Sequence, residues 1–229
     1  MNRLALFFFS LAVGMLGAQE ASEEAVRLRT LVLEPLPQET LHLQLGEGNS
    51  QEIKVKSGGL SHPQELMVTV DQLSFYGKPL GGGEEASSPK LICQANVPNK
   101  SKDLLAIFIV STSAKNTSKV EVRVFDISDK VWPEGETLVV NYLNSNVRFR
   151  LGEFNKGIRA GKNLFVDAPT DKTEFNMARV IFEAQASDQS WKSFRKTSLR
   201  YTDQIRYLMV SHYKKKSQRP ALQVYRVKL

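Results

Sequence analysis

The chain has 229 residues, 41% of them hydrophobic and 24% charged, and a formal net charge of +7. These proportions exclude a disordered, collagen-like or multispanning membrane chain, and the length can build a core without covalent or metal staples. A single cysteine, Cys93, excludes an intrachain disulfide.

The opening "MNRLALFFFSLAVGMLGAQEA" carries Arg3, an apolar run from Leu4 to Leu16, and the small residues Gly17 and Ala18. That pattern predicts a signal peptide over 1–18, cut after Ala18, then a short linker over 19–24. An uncleaved anchor is the alternative. No cysteine follows the apolar run, which argues against a bacterial lipid anchor. No later stretch is apolar enough for a transmembrane helix. The mature chain is therefore expected to be periplasmic or secreted, with no transmembrane segment after signal removal.

Period-2 patterns then dominate. "VRLRTLVLEP" alternates at Val26 and Leu28 and shifts phase to Leu31 and Leu33, as a bulge would cause. "TLHLQL" sets Leu41, Leu43 and Leu45 against His42 and Gln44. "EIKVK" repeats the alternation with Ile53 and Val55, and "ELMVTVDQLSF" reads as one further strand. The stretch "YGKPLGGGEEASSP", with four Gly and two Pro, predicts a flexible loop over 76–89. "LICQANV" places Cys93 as a small buried residue, and "LLAIFIVS" is apolar on both faces, as a central strand is. In "FNMARVIFEAQA", β-branched and aromatic content favours strand over helix. Turn-forming runs separate these segments at short intervals. The fold predicted is all-β: an antiparallel immunoglobulin-like β-sandwich of about ten or more strands, with little helix beyond the signal peptide, forming a single domain over 25–229. No internal repeat is visible.

In "VWPEGETLVVNYLNSNVRFRLG", from Val131 to Gly152, Pro133 and Gly135 predict a turn, and Trp132 packs over a sheet edge or stacks on a carbohydrate. "TLVVNYL" and "VRFRLG" read as a hairpin. Pairing Val140 with Phe149 separates apolar from polar residues. It leaves Asn141 on a solvent-facing strand beside Arg148, since burying an amide without partners costs about 1–3 kcal/mol. The rival reading is a buried Asn141 that ties a neighbouring loop by hydrogen bonds. Trp132, Pro133, Gly135, Asn141, Arg150, Leu151, Gly152, Gly161 and Lys162 together resemble a loose group of exported bacterial proteins with no assigned activity. The resemblance implies an immunoglobulin-like β-sandwich and export, and no chemistry.

Chemical motifs are sparse. His42, His62 and His212 stand at no metal-ligand spacing and read as surface residues, so no metal site or cofactor is predicted. "GEFNKGIRAGKN" falls one residue short of a phosphate loop and ends in Asn163, so it reads as a hairpin turn. Asn99 and Asn116 begin glycosylation triplets.

Charge is the informative feature. Residues 1–114 hold 9 Lys+Arg against 12 Asp+Glu, net −3, and residues 115–229 hold 22 against 12, net +10. The candidate anion-binding residues are Arg148, Arg150, Lys192, Arg195, Lys196, Arg200, Lys214, Lys215, Lys216 and Arg219. Several are interleaved with Trp191, Phe194 and Tyr201, a composition suited to phosphate contacts plus stacking. Lysines on strand edges also deter aggregation without any ligand. The function expected is an exported, non-catalytic binding or structural protein of the cell envelope. Its expected partners are an anionic envelope polymer, lipid headgroups or another exported protein, and nucleic acid is disfavoured. The alternatives are an envelope-polymer hydrolase with dispersed catalytic residues, and a subunit of a larger exported assembly.

Overall fold

The computed structural model describes residues 24–228 apart from 37, 39, 47, 56, 69–70, 81–88, 99–100 and 113–117. The expected signal peptide, linker residues 19–23, Asn99, Asn116 and the centre of the 76–89 loop lie outside the described residues.

Sixteen strands form among the described residues. The first eight are β1 (Glu24–Val32), β2 (Thr40–Gly46), β3 (Asn49–Lys54), β4 (Gln64–Val68), β5 (Gln72–Tyr76), β6 (Leu91–Asn96), β7 (Asp103–Thr112) and β8 (Ser118–Asp126). The second eight are β9 (Thr137–Asn141), β10 (Val147–Leu151), β11 (Phe154–Ile158), β12 (Asn163–Val166), β13 (Met177–Gln185), β14 (Trp191–Arg200), β15 (Arg206–Tyr213) and β16 (Pro220–Val227). They make four sheets: I (β3-β2-β5-β6), II (β4-β1-β7-β8), III (β12-β9-β15-β16) and IV (β11-β10-β13-β14). The all-β, sandwich character read from the alternation is therefore present.

The sheet orders disclose a repeat that the residues hide. Adding eight to each strand number of sheet II gives sheet III, and the same shift turns sheet I into sheet IV. The pairing senses repeat too. β1 and β7 run parallel, as do β9 and β15, and the remaining pairings are antiparallel. Two copies of one eight-stranded topology thus follow each other, with side chains too different for the sequence to show it.

The sheets stack I–II–III–IV with three apolar layers between them. The first holds Leu28, Leu41, Leu43, Ile53, Phe75, Leu104, Ala106 and Phe108. The last holds Val139, Phe149, Leu151, Val180, Phe182, Tyr207 and Met209. The central layer joins the two copies through equivalent strands: Leu31 and Leu33 of the first and Leu105 and Ile107 of β7 meet Leu138 and Val140 of β9 and Leu208 and Val210 of β15. The span 25–229 thus contains four sheets in one stack. Fully burying such a side chain contributes about 1.5–3 kcal/mol, so the central layer is a core in its own right.

That layer corrects one sequence expectation. The phase shift at Leu31 is not a bulge, because β1 keeps continuous register with β7 from Arg27 to Val32. Val26, Leu28 and Val32 face sheet I, while Leu31 faces sheet III. The strand simply becomes apolar on its second face where the second copy covers it. β7 is central for the same reason, as its two-sided pattern suggests. "ELMVTVDQLSF" likewise divides into β4 of sheet II and β5 of sheet I.

Residues between β8 and β9 bind the copies together. Trp132 is fully buried in the central layer, and its Nε1 donates to the Glu136 carbonyl at 3.2 Å. It neither caps an exposed edge nor is available to stack on a sugar. Gly135 has φ of +81°, as the turn at Pro133 requires. Arg206, 2% exposed, donates from Nη2 to Asp129 at 2.6 Å. At the far side Arg123 of β8 donates to the Gly161 carbonyl at 2.7 Å and lies 4.5 Å from the centre of the Tyr142 ring.

Candidate functional site

The hairpin expected for β9 and β10 does not form, because the two strands belong to different sheets. β9 pairs with β12 and β15, and β10 with β11 and β13. The turn Asn144–Asn146 therefore crosses between sheets III and IV. Asn141 ends β9 at that crossing and is fully buried, which overturns its solvent-facing assignment. Its Nδ2 donates to the carbonyls of Ser145 (2.9 Å), Arg159 (3.2 Å) and Ile158 (3.3 Å). Its Oδ1 accepts from Leu143 N at 3.0 Å and Ser211 Oγ at 3.1 Å. A buried amide satisfied this fully is stabilising, and it fixes two crossings at once. The "GEFNKGIRAGKN" stretch is also a crossing, from β11 of sheet IV to β12 of sheet III, and not a hairpin turn.

The candidate cations divide into three groups. β10 alternates buried and exposed, so Arg148 and Arg150 stand on the outer face of sheet IV. Register carries that face across the sheet. Arg148 opposes Glu183, Arg150 opposes Ile181, Ile181 opposes Lys196, and Met177 opposes Arg200. Arg179, which the sequence reading missed, shares the face because it opposes Ser198. The charged residues at these positions are thus Arg148, Arg150, Arg179, Lys196 and Arg200, with Glu183 the one carboxylate. Arg148 engages Glu183 at 2.5 Å and lies 4.7 Å from the centre of the Trp191 ring. The hydrogen bond from Arg148 holds the Glu183 carboxyl below the usual range, helped by Lys196 and Arg150. Tyr201, expected among the stacking rings, is buried against Tyr207 and bonded to Thr137.

Lys192 and Arg195 oppose Ala184 and Phe182, so they project on the other side of β14, away from the basic face. Lys214, Lys215, Lys216 and Arg219 are exposed in the β15–β16 turn of sheet III. There Lys215 N donates to Glu34 at 2.7 Å, which ties this turn to the first copy.

Lys192 and Arg219 come together at a groove of about 910 Å³, at the end of the sandwich between β14 and β16. The crossing turn Asn144–Asn146, the β13–β14 turn, Phe194, Tyr213 and Pro220 complete its lining, which includes no carboxylate. Phe194 is fixed edge-on to core Phe182, centroids 6.1 Å apart.

His42 is half-buried on β2, His62 is exposed before β4, and His212 is buried on β15. The surface expectation fails for His212. Burial lowers its pKa, and its Nδ1 lies 3.1 Å from the Tyr213 carbonyl. Cys93 is buried as expected, and burial pushes its thiol up to about 12. Among the described residues no three His, Cys, Asp or Glu side chains group as a metal site, and no helix is long and apolar enough to cross a membrane. No family model and no curated protein matches the chain.

Proposed function

We propose that the protein is an exported, non-catalytic binding protein of the cell envelope that docks on anionic partners through the outer face of sheet IV. One observation carries this reading: Arg148, Arg150, Arg179, Lys196 and Arg200 share that face with a single carboxylate, Glu183, which Arg148 already engages. Four of the five are arginines, whose planar forks suit phosphate and carboxylate oxygens in bidentate geometry. The array spans three strands, β10, β13 and β14, which suits a repeating anionic polymer or a headgroup surface. Export is supported by the composition of residues 1–18.

The test compares binding to phosphatidylglycerol vesicles, phosphatidylcholine vesicles and long-chain polyphosphate. Anionic probes should bind, and affinity should fall by roughly tenfold or more between 50 and 200 mM salt, because released counterions drive such contacts. The double reversal Arg150→Glu/Lys196→Glu should abolish binding at unchanged melting temperature. Salt-independent binding, or binding intact in the double variant, rejects the reading. N-terminal sequencing of the exported chain should begin at Gln19.

A further inference from the structure

We infer that the groove between β14 and β16 is a second site, distinct from the basic face, that takes an acidic saccharide: a chain of hydroxyl-rich rings bearing carboxylates. Its charge comes first. Lys192 and Arg219 line it, no Asp or Glu does, and neither cation makes a salt bridge among the described residues. The nearby acid Asp188 accepts from Ser190 N and Oγ in its own hairpin, and the Lys192 charge further favours its ionised form, so Arg219 is the lining cation with no acid beside it among the described residues. Two cations, one of them partly offset by Asp188, against an otherwise neutral wall fit an occasional carboxylate better than a phosphate on every unit.

The neutral wall is amide and hydroxyl. Asn146 Nδ2 donates to Gln185 Oε1 at 3.0 Å, and Gln185 Nε2 donates to Gln189 Oε1 at 2.7 Å. Tyr213 donates its hydroxyl to Asn144 Oδ1. Each chain of bonds ends in an amide whose N–H groups have no partner among the described residues, Nδ2 of Asn144 and Nε2 of Gln189. Donors positioned by one another beside the half-buried rings of Phe194 and Tyr213 match ring hydroxyls and the apolar face of a sugar. The volume of about 910 Å³ accommodates several rings.

Backbone geometry marks the lip of the groove. Gln189 holds φ of +63° in the β13–β14 turn, a left-handed conformation that suits Gly or Asn far better than Gln. Asn176 (φ of +59°) and Gln218 (φ of +51°) share this conformation without lining the groove, so what ties Gln189 to a ligand is that it also lines the groove, where Gly would relax the backbone but remove the amide.

The experiment is calorimetric titration of the full chain with oligogalacturonate and hyaluronan oligosaccharides, neutral maltohexaose, and a poly-glutamate peptide. At least one uronate oligosaccharide should bind, and maltohexaose should bind at least tenfold more weakly. Lys192→Ala and Arg219→Ala, both at exposed positions, should each weaken uronate binding tenfold or more. Gln189→Gly should raise the melting temperature while weakening uronate binding, a split that a purely structural role would not produce. Arg150→Glu/Lys196→Glu should leave uronate binding unchanged, so this site and the basic face succeed or fail separately. Failure of both uronates to bind, equal binding of maltohexaose, tighter binding of the peptide, or indifference to Arg219→Ala overturns the inference.

Discussion

Ser211 Oγ donates to Asn141 Oδ1 at 3.1 Å across the parallel seam of β9 and β15, inside the second copy. Through Asn141 the same network reaches both crossings between sheets III and IV, so one side chain holds the register of four strands. Asn141→Ala would strand Leu143 N and three carbonyls in the interior, and should cost about 2–4 kcal/mol in chemical denaturation. Asn141→Asp keeps the acceptor but turns a carboxylate toward three carbonyl oxygens. Its deficit should grow as pH rises and that buried acid ionises. A loss under 1 kcal/mol for Asn141→Ala would refute the assigned network.

The central layer predicts cooperativity. Leu105 and Leu208 are both fully buried in it, on equivalent strands of the two copies. Calorimetry of the unaltered chain should show one transition. Leu208→Asp puts an unpaired charge into that layer, a large penalty, and should lower the melting temperature of both copies together. Loss confined to the second copy, with the first melting as before in a chain that had shown one transition, would contradict coupling through this layer.

Gly152 tests local backbone strain. It turns β10 into β11 with φ of +53°, and a Cβ there would stand 2.8 Å from Pro169 Cβ and 3.1 Å from the Asp171 carbonyl oxygen. Both constraints oppose any side chain, so Gly152→Ala should cost about 1–3 kcal/mol. Gly157→Ala, whose nearest atom would lie 3.9 Å away, is the control and should have little effect.

Acid should loosen the 167–176 connection. Partial desolvation by its neighbours raises the Glu153 carboxyl, but hydrogen bonds from Thr170 N, Asp171 N and Thr170 Oγ1 outweigh it and bring the group down to about 2. The folded value lies below the ordinary one, so the stabilisation is present above about 4.5 and is lost as pH falls toward 2. Glu153 is exposed, which keeps the effect modest. Melting temperature against pH should show this slope, and Glu153→Gln should flatten it. Identical slopes in both proteins would exclude the carboxylate as the source.

Periodicity carried the strands, because a one-sided β pattern repeats every two residues whatever lies beyond it. It could not tell a bulge from a second buried face at Leu31, since both interrupt simple alternation. Nor could it see that "NSN" crosses between sheets, because a crossing and a hairpin turn use the same polar residues. Asn141 reads as exposed for want of the partners that make its burial tolerable, and those come from residues up to 70 positions away. His212 is buried with its Nδ1 against the adjacent Tyr213 carbonyl and its Nε2 unpartnered among the described residues. The basic face was partly legible: Arg148, Arg150, Lys196 and Arg200 share it, Arg179 was overlooked, and Lys192 and Arg195 point the other way. Lys192 and Arg219 meet only because β14 and β16 are the neighbouring edges of facing sheets, a fact of topology that no spacing encodes.

Because the duplicated units join through their middle sheets, the remaining sheets become opposite poles, roughly 30 Å apart for three inter-sheet gaps. The first copy, residues 24–126, holds 11 Lys+Arg against 12 Asp+Glu, net −1, and the second, residues 137–229, holds 18 against 7, net +11. Positive charge is consequently concentrated toward one end of the stacking axis. Near a negatively charged surface the molecule would stand on the sheet IV pole, leaving sheet I as the most remote part of the particle.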